Sequence, residues 1–307
     1  MSIVIHTKTV GMIGLGIMGS AMAANLMRAG HTVVGYDLVL ARRRNHLRAG
    51  GRVARRASDV ARAADVVICS LPSAAALLAV AGELAGLRPG PRIVIETSTL
   101  PIAVKEEARR RLSAAGTILL DCPLSGTGAQ ARVGDLVVYA SGSRTAYRAV
   151  TLVLAAFARA HYYVGPFGAG SKMKFVANLL VAIHNVAAAE AMVLAMKAGL
   201  DPAMTYKVIA DGAGSSRMLQ VRGPMMVRGD YSDAMIRLSV WAKDMTIIQD
   251  FAREVGCPTP LFSATAPIYT AAAAMGRADE DTAAVCAVLE AMAHHRRRKA
   301  RALNRRR

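Results

Sequence analysis

A glycine-rich segment near the start of the chain has the residue types and spacing of a phosphate-binding turn. The segment Gly14-Leu15-Gly16-Ile17-Met18-Gly19 follows a short apolar run and opens a helical pattern. Gly14 permits a tight turn, Gly16 lets a pyrophosphate approach the backbone, and Gly19 lets the helix pack on the strand. The amino terminus of the helix also attracts the anion. Asp37 ends the next predicted strand, where its carboxylate could accept hydrogen bonds from a ribose. The pattern predicts a dinucleotide site.

The charges around Asp37 decide which dinucleotide we expect. A carboxylate at this position would repel a phosphate on the ribose, so NAD is favoured over NADP. Three arginines, Arg42, Arg43 and Arg44, follow within seven residues and could meet that phosphate. NADP therefore stays open as the alternative cofactor.

A second group of residues able to do chemistry lies on one long helical pattern, which runs from Ser171 to Ala198 without proline or glycine. Lys174 and Asn178 would lie about 40° apart around the axis of such a helix, and Asn185 would return to within about 20° of Lys174. An amine and two amides on one face could transfer a proton and hold an oxygen atom, or they could form a satisfied buried network. The spacing leaves both interpretations open.

A third segment, Asp121 to Ala131, begins at a predicted strand end and continues with small residues. It presents several backbone N–H groups together with the hydroxyl groups of Ser125 and Thr127, which are suitable receptors for a carboxylate. A simple glycine turn is the alternative interpretation.

These motifs together resemble those of the β-hydroxyacid dehydrogenase family, from Val10 to about Ala293. The segment from Asp121 is similar to the family's D-x-P-V-S-G-G-x-x-x-A loop, with Thr127 in place of the second glycine. Gly168 to Asn178 is similar to G-x-G-x-x-x-K-x-x-N-N, with Ala177 in place of the first asparagine. Trp241 to Met245 resembles the family's K-D-L motif.

The resemblance implies a role for each matching residue. Lys174 and Asn178 would be catalytic, and Lys243, oriented by Asp244, would approach the nicotinamide or the substrate carboxylate. The expected substrate-binding residues are Ser125, Gly126, Thr127 and Lys243. The expected cofactor-binding residues are Gly14, Leu15, Gly16, Ile17, Met18, Gly19, Asp37, Leu71, Pro72, Thr99 and Lys243.

The activity that the resemblance implies is NAD(P)-dependent hydride transfer in a cleft between two domains. Such an enzyme interconverts a short 3-hydroxyacid and its semialdehyde or keto acid, with Lys174 as general acid and base. Thr127 and the stretch Gly212 to Ser216 suggest a polar pocket for a polyhydroxy acid such as threonate. The alternatives are an imine reductase, another NADP-dependent semialdehyde reductase on the same fold, or a non-enzymatic protein that binds nucleic acid through its carboxyl-terminal arginines.

Alternating strand and helix patterns up to residue 164 predict an α/β fold, a Rossmann-type doubly wound and mainly parallel sheet. The predicted strands are Thr9–Ile13, His31–Tyr36, Asp65–Cys69, Arg92–Ile95, Ile118–Leu120, Leu136–Ala140 and Tyr162–Val164. The predicted helices of this part are Ile17–Arg28, Leu40–Ala49, a short helix capped by Ser58 or Asp59, 102–115 and 144–157.

The second half of the chain shows helical patterns alone, at 171–198, 203–210, 234–255, 259–275 and 281–295. Asp201 and Pro202 have the types expected of a helix cap and a first helical residue. We predict a dinucleotide-binding domain at 1–165, an all-helical domain for substrate binding and dimerisation at 166–295, and a basic tail without fixed structure at 296–307.

Composition limits the remaining classes of protein. Hydrophobic residues make up 53% of the 307 residues, which is enough for a substantial core. The four cysteines are far apart, which argues against a disulfide framework or a metal site and favours the cytoplasm. The tail supplies eight of the basic residues behind the net charge of +18 and has no interleaved aromatic residues, so nucleic acid is not the expected partner.

The longest apolar stretch, Leu179 to Leu200, contains four polar or charged residues and is predicted to be too polar to span a membrane. It carries apolar residues on nearly every side, more than one neighbouring helix could cover. We therefore expect a homodimer or homotetramer built through the helical domain.

Overall fold

Strands that are apolar at nearly every position form the centre of the first half of the protein. The computed structural model describes residues 8–297. Within them, the strands of one sheet are β1 Thr9–Ile13, β2 Thr32–Tyr36, β3 Arg52–Val53, β4 Val66–Cys69, β5 Ile93–Glu96, β6 Ile118–Asp121, β7 Leu124–Ser125, β8 Val137–Ser141 and β9 Ala160–Gly165.

The strand order is β3-β2-β1-β4-β5-β6-β8-β7, and β9 pairs with β8. Strands β1 to β6 run parallel to one another, β8 is antiparallel to β6 and β7, and β9 is parallel to β8. The order of the first six strands is that of a doubly wound dinucleotide-binding fold. The predicted fold class is confirmed.

Helices cover both faces of this sheet because successive strand residues point to opposite sides. Val10 packs in one buried cluster with Met22 and Leu154, whereas Ile13 packs in a second cluster with Leu112. The helices are α1 Ile17–Arg28, α2 Leu40–Arg48, α3 Ala57–Ala63, α4 Ala74–Ala85, α5 Ile102–Ser113, α6 Gly128–Arg132, α7 Arg144–Ala149 and α8 Thr151–Phe157.

One predicted helix start is wrong. Helix α3 begins at Ala57, before both residues that were expected to cap it. Asp59 lies inside the first turn and reaches back, so that its Oδ2 accepts the backbone N–H of Arg56 at 3.2 Å. A carboxylate in the first turn can satisfy an exposed N–H in this way.

The second half of the described chain is helical apart from one isolated bridge between Arg237 and Asp281. Its α-helices are α9 Ala169–Lys197, α10 Pro202–Asp211, α11 Arg217–Arg228, α12 Leu238–Glu254, α13 Pro260–Ala272 and α14 Val285–Met292. A π-helical turn at Ala273–Arg277 and a 3-10 turn at Thr282–Ala284 complete the set. Asp201 caps α10, and Pro202 is its first residue, as predicted.

Two compact units divide the chain, the first ending at Ala177 and the second beginning at Asn178. The division falls inside α9, whereas the sequence places a boundary before that helix. The start of α9, up to Ala177, therefore belongs to the unit that contains the sheet, and the rest of α9 belongs to the unit that contains the other helices.

Helix α9 is long and apolar enough to cross a membrane by length and composition alone, although the polar residues of this stretch predict that it is too polar to do so. Half of its most apolar window is nevertheless buried inside the protein. Asn185 in this helix is fully buried and donates hydrogen bonds to Tyr269 Oη at 3.0 Å and to the Thr282 carbonyl at 2.9 Å. Contacts of this kind are those of a core helix.

A buried ion pair organises the helical unit. Arg222 Nε lies 2.9 Å from Asp281 Oδ1, and both side chains are almost completely buried. The other oxygen of Asp281 accepts the backbone N–H groups of Met235 and Ile236, at 2.9 and 3.0 Å. One carboxylate thus joins α11 to the segment that precedes α12.

Arg297, the second residue of the predicted tail, has fixed partners. Its guanidinium donates to the carbonyl oxygens of Met226 and Val227 in the last turn of α11 and pairs with Glu290 of α14. A cation at a helix carboxyl terminus satisfies carbonyl groups that have no partner in the helix. Residues 298–307, which make up the rest of the tail, lie outside the described residues.

Candidate functional site

The glycine-rich turn joins β1 to α1 with the geometry that the sequence predicts. Gly14 has φ +93°, and a Cβ there would lie 2.1 Å from the Ser70 carbonyl oxygen. A Cβ on Gly19 would lie 1.8 Å from the Gly14 oxygen. Gly16 is the N-cap of α1, no side chain caps this terminus, and nothing lies within 4 Å of the position that a Cβ would take. Backbone N–H groups beside open space fit a pyrophosphate.

The other residues of this segment have different exposures. Leu15 is buried beneath the turn, Met18 is half-buried, and Ile17 is 71% exposed. Ile17 also lies close to α6, since a Cβ on Gly128 would come within 2.6 Å of its Cγ2. The predicted cofactor turn and the predicted substrate loop are therefore adjacent within the first unit.

Asp37 lies just after β2 and is 7% exposed. Its Oδ2 accepts the backbone N–H of Leu15 at 2.8 Å and lies 3.3 Å from Arg42 Nη1, while its Oδ1 accepts the N–H of Val39 at 2.8 Å. Arg43 is placed differently, with its guanidinium 5.8 Å from the centre of the Tyr36 ring. Asp37 thus holds both the glycine-rich turn and the nearest arginine.

The loops after β4 and β5 lie beside this turn. The backbone N–H of Leu71 donates to Ser98 Oγ at 2.8 Å, and the N–H of Ser98 donates to Glu96 Oε1 at 2.8 Å. Pro72 is exposed and Thr99 is half-buried. The carboxyl ends of β1, β4 and β5 therefore present the residues expected to border the cofactor at one edge of the sheet.

The predicted substrate loop follows β6. Ser125 ends the two-residue strand β7, Gly126 has φ +138°, and Thr127 is the N-cap of α6. Thr127 Oγ1 accepts the N–H of Gln130 at 3.4 Å, while the N–H of Thr127 donates to Gln130 Oε1 at 3.0 Å. The Thr127 hydroxyl, which is a predicted substrate contact, therefore also caps the amino terminus of α6.

Cys122 lies in the same loop. It is fully buried, and burial raises the pKa of its thiol well above the usual range. The thiol therefore stays protonated and is a poor nucleophile. Among the described residues, no group of three or more histidine, cysteine, aspartate or glutamate side chains could hold a metal ion.

Lys174 lies in the second turn of α9 and is half-buried, whereas Lys172 is exposed. The amino terminus of this helix is attached to the end of β6. Asp121 accepts the backbone N–H of Ser171 through Oδ2 at 2.8 Å and the Ser171 hydroxyl through Oδ1 at 2.9 Å. The contacts between Asp121 and Ser171, which lies one turn before Lys174, therefore fix where Lys174 lies along the edge of the sheet.

Asn178 comes one turn after Lys174 and is 4% exposed. Its Nδ2 donates to Asp244 Oδ2 at 3.0 Å, and Asp244 Oδ1 lies 3.2 Å from Lys243 Nζ. The second unit thus brings together Asn178 and the Lys-Asp pair of α12, which are 66 residues apart in sequence. Asn185, which the sequence predicts on the same face as Lys174, donates its Nδ2 hydrogen atoms to Tyr269 Oη and the Thr282 carbonyl instead.

The buried residues that hold these loops were not predicted from the sequence. Glu96 and Asp121 each end an apolar strand, and Lys105 of α5 forms ion pairs with both. Two carboxylates at the ends of buried strands require a cation nearby. This need for a cation was the one feature of the sequence that could have identified Lys105.

Two family models cover most of the chain. Residues 9–165 match the model described as the NAD binding domain of 6-phosphogluconate dehydrogenase. Residues 168–289 match the model described as NAD-binding of NADP-dependent 3-hydroxyisobutyrate dehydrogenase.

Individual relatives cover the same extent. The chain is 36% identical over 284 residues to the L-threonate dehydrogenase of Cupriavidus necator, a match that covers 91% of this chain and 95% of the relative. The crystal structure of 3-hydroxyisobutyrate dehydrogenase from Salmonella typhimurium is 34% identical, with a TM-score of 0.82, and covers 91% of this chain and 99% of that one. The imine reductase of Streptomyces aurantiacus is 21% identical, with a TM-score of 0.60, covers 92% of this chain and 99% of that one, and shares the fold.

Proposed function

The chain belongs to the 3-hydroxyisobutyrate dehydrogenase family of NAD(P)-dependent oxidoreductases, and we propose that it interconverts a short hydroxyacid and its semialdehyde or keto acid. A polyhydroxy acid of the L-threonate class is the proposed substrate in the oxidative direction. The observation that supports this proposal most is the closeness of Ile17 to Gly128, where an added Cβ would lie 2.6 Å from Ile17 Cγ2. The proposed cofactor turn and the proposed substrate loop are therefore neighbours.

The substrate class is supported by the hydroxyl groups of that loop. Ser125 and Thr127 are half-buried and flank Gly126, so the segment offers hydroxyl and N–H groups to a carboxylate and to further hydroxyl groups. The 36% identity with an L-threonate dehydrogenase supports the same class. The resemblance assigns Ser125, Gly126, Thr127 and Lys243 to substrate binding, and we propose these roles here.

The proposed cofactor contacts follow the edge of the sheet. Gly14 to Gly19 would hold the pyrophosphate, Asp37 the adenosine ribose, and Leu71, Pro72 and Thr99 would border the rest of the dinucleotide. NAD is the proposed cofactor, with NADP as the alternative. When bound, it accepts hydride from the substrate in oxidation and supplies hydride in reduction.

Lys174 is the proposed proton-transfer residue. It takes the proton of the substrate hydroxyl group during oxidation and returns a proton to the carbonyl oxygen during reduction. Asn178 holds the same oxygen through its side-chain amide, which its bond to Asp244 keeps in one orientation. Asp244 also keeps the Lys243 ammonium group near Asn178.

We also propose a homodimer or homotetramer in the cytoplasm. Exposed apolar residues on α9 support the oligomer: Met173, Leu180 and Leu194 are separated by multiples of seven residues and are 43, 46 and 72% exposed. Residues seven apart lie on nearly the same side of a helix. All four cysteines are free, which is typical of a reducing compartment.

A substrate screen tests the proposed activity. Hydroxyacids with three to five carbons, including L-threonate and L-serine, would be offered with NAD and with NADP while the absorbance of the reduced cofactor is followed. We expect the highest kcat/KM with a polyhydroxy acid and NAD. Cyclic imines and short semialdehydes would be offered with the reduced cofactors in the same way. A higher kcat/KM with an imine than with any hydroxyacid would refute the proposed activity. A higher kcat/KM with a semialdehyde that has no further hydroxyl groups would refute only the proposal that the substrate is a polyhydroxy acid.

A further inference from the structure

A completely buried lysine lies beneath the edge of the sheet that carries the proposed site. Lys105 of α5 is 0% exposed, and its Nζ lies 2.6 Å from Glu96 Oε2 and 2.8 Å from Asp121 Oδ1. Both carboxylates are also fully buried. Burial alone would lower the pKa of Lys105, but the charges of Asp121 and Glu96 outweigh it and hold that pKa above its usual value. The Lys105 ammonium group is therefore held between two carboxyl groups.

A buried ion cluster of this kind contributes little to the stability of a fold. Desolvating three charges costs several kcal/mol per ion, and replacing buried ion pairs with apolar residues is often neutral or stabilising. The backbone groups that the two carboxylates hold indicate what else the cluster does.

The first branch of the cluster leads to the helix of Lys174. Asp121 accepts both the N–H and the hydroxyl of Ser171. Its Oδ2 also accepts the hydroxyl of Ser141 at 3.2 Å, and Ser141 Oγ in turn accepts the N–H of Gly170 at 2.9 Å. In the first turn of α9, Asp121 thus holds the N–H of Ser171 directly and the N–H of Gly170 through Ser141. The helix dipole favours a carboxylate at this position.

The second branch leads to the loops that border the cofactor. Glu96 Oε1 accepts the N–H of Ser98, whose hydroxyl accepts the N–H of Leu71, each at 2.8 Å. The loops after β4 and β5 are therefore held in register by the side chain that pairs with Lys105.

We infer that Lys105, Glu96 and Asp121 form a positioning cluster that aligns the proton-transfer helix with the cofactor loops. Asp121 sets the position of Lys174 through Ser171, and Glu96 sets the position of Leu71 through Ser98. This inference rests on the proposed function, since it takes Lys174 as the proton-transfer residue.

The two branches predict different kinetic effects, which a purely structural role would not produce. Asp121→Asn and Ser171→Ala act on the first branch, so we expect kcat to fall at least tenfold while the dinucleotide Kd, measured by fluorescence titration, changes less than about twofold. Glu96→Gln acts on the second branch, so we expect the dinucleotide Kd to rise at least fivefold and by a larger factor than kcat falls.

Thr117→Val is the matched control. Thr117 is also buried and donates one hydrogen bond, from Oγ1 to the Pro91 carbonyl at 2.7 Å, but it precedes β6 at the opposite end of that strand. Its loss should lower the thermal unfolding midpoint about as much as Ser171→Ala does, and it should leave kcat and Kd within about twofold.

Each outcome decides the matter. If Ser171→Ala and Glu96→Gln change the unfolding midpoint but leave kcat and Kd within twofold, the positioning role is wrong. Should Asp121→Asn fail to fold, Ser171→Ala decides the first branch. If Lys174→Ala keeps full turnover, the proposed proton-transfer residue is wrong. A loss of turnover in Lys174→Ala together with unaffected branch variants refutes this inference alone.

Discussion

The carboxylate of Asp37 accepts a hydrogen bond from the backbone N–H of Leu15 at 2.8 Å, so one side chain joins the end of β2 to the glycine-rich turn. The same oxygen lies 3.3 Å from Arg42. We therefore expect Asp37 to influence both the shape of the turn and the choice of dinucleotide.

Asp37→Asn should shift cofactor use toward NADP. The amide oxygen can still accept the N–H of Leu15, but the charge that would repel a ribose phosphate is removed and Arg42 loses its partner. We expect the ratio of kcat/KM with NADP to kcat/KM with NAD to rise at least about tenfold, or about 1.4 kcal/mol. Steady-state kinetics with both cofactors measures this ratio.

Asp59→Asn is the control, because Asp59 also pairs with an arginine, Arg62 at 3.1 Å, but lies on α3 away from the turn. In Asp59→Asn, the ratio of kcat/KM with NADP to kcat/KM with NAD should stay within twofold of the wild-type ratio. A wild-type enzyme that prefers NADP by tenfold or more would show that the arginines outweigh Asp37.

Lys174→Ala and Lys174→Met should keep cofactor binding and lose turnover. Loss of a positioned proton-transfer group typically costs about 10²- to 10⁴-fold in rate, while the proposed phosphate contacts are made by Gly14 to Gly19. Lys174→Arg should fail almost as badly, because a guanidinium does not release its proton near neutral pH. Dinucleotide titration and kcat measurements separate the two effects.

Lys172→Ala is the matched control for this helix, since Lys172 is exposed and lies about 160° from Lys174 around the axis. Its kcat should change less than about threefold. If Lys172→Ala abolished activity and Lys174→Ala did not, the assignment of both Lys174 and Asn178 would be wrong.

Light scattering at micromolar concentration should show at least a dimer. In the proposed oligomer, a partner would cover the exposed side of α9 that contains Leu180 and Leu194, so that a charge placed there would be buried without compensation. Leu194→Glu should therefore shift the protein toward a smaller species.

Leu152→Glu provides the comparison, because Leu152 is 82% exposed on α8 and lies on a different helix. It should leave the molar mass unchanged. A wild-type protein that is monomeric under these conditions would contradict the proposed assembly.

Acid should weaken the fold through His46. This side chain is 5% exposed and its Nε2 lies 3.3 Å from the Val33 carbonyl oxygen; burial lowers its pKa. Between that lowered pKa and the ordinary value of about 6.5, the unfolded chain binds more protons than the folded one, so stability falls as pH falls below about 6.5. The slope contributed by His46 is at most about 1.4 kcal/mol per pH unit.

Urea unfolding at pH 7.5, 6.5 and 5.5 measures this slope. His46→Gln should lower the free energy of unfolding at every pH and should reduce its decrease between pH 6.5 and 5.5. An unchanged pH dependence in the variant would show that other groups control the acid sensitivity.

Local signals predicted much of the first unit. The ranges of β1 and α1 agree with the sequence analysis to the residue, because an apolar strand, a glycine turn and a helical pattern follow one another directly. The helix α11 was missed, since Gly223 and Pro224 stand inside it. There the packing of the helix and the buried pair between Arg222 and Asp281 outweigh the local preference against helix.

The candidate site also combines features that local sequence predicts with contacts that it does not predict. The types of Gly14 and Asp37 indicate a dinucleotide turn, but the bond between Asp37 and Leu15 spans 22 residues and has no local signature. The bond between Asn178 and Asp244 spans 66 residues, and it depends on how α9 and α12 pack. Contacts made by tertiary packing were therefore the part that sequence patterns could not supply.

The attachment of Arg297 to the end of α11 determines where the chain can be modified. A protein shortened after Arg297 keeps the guanidinium contacts with Met226, Val227 and Glu290, whereas one shortened after Arg296 loses all of them. Affinity tags and fusion partners are therefore best joined beyond residue 297. Shortening the basic end to improve purification should stop at the same residue.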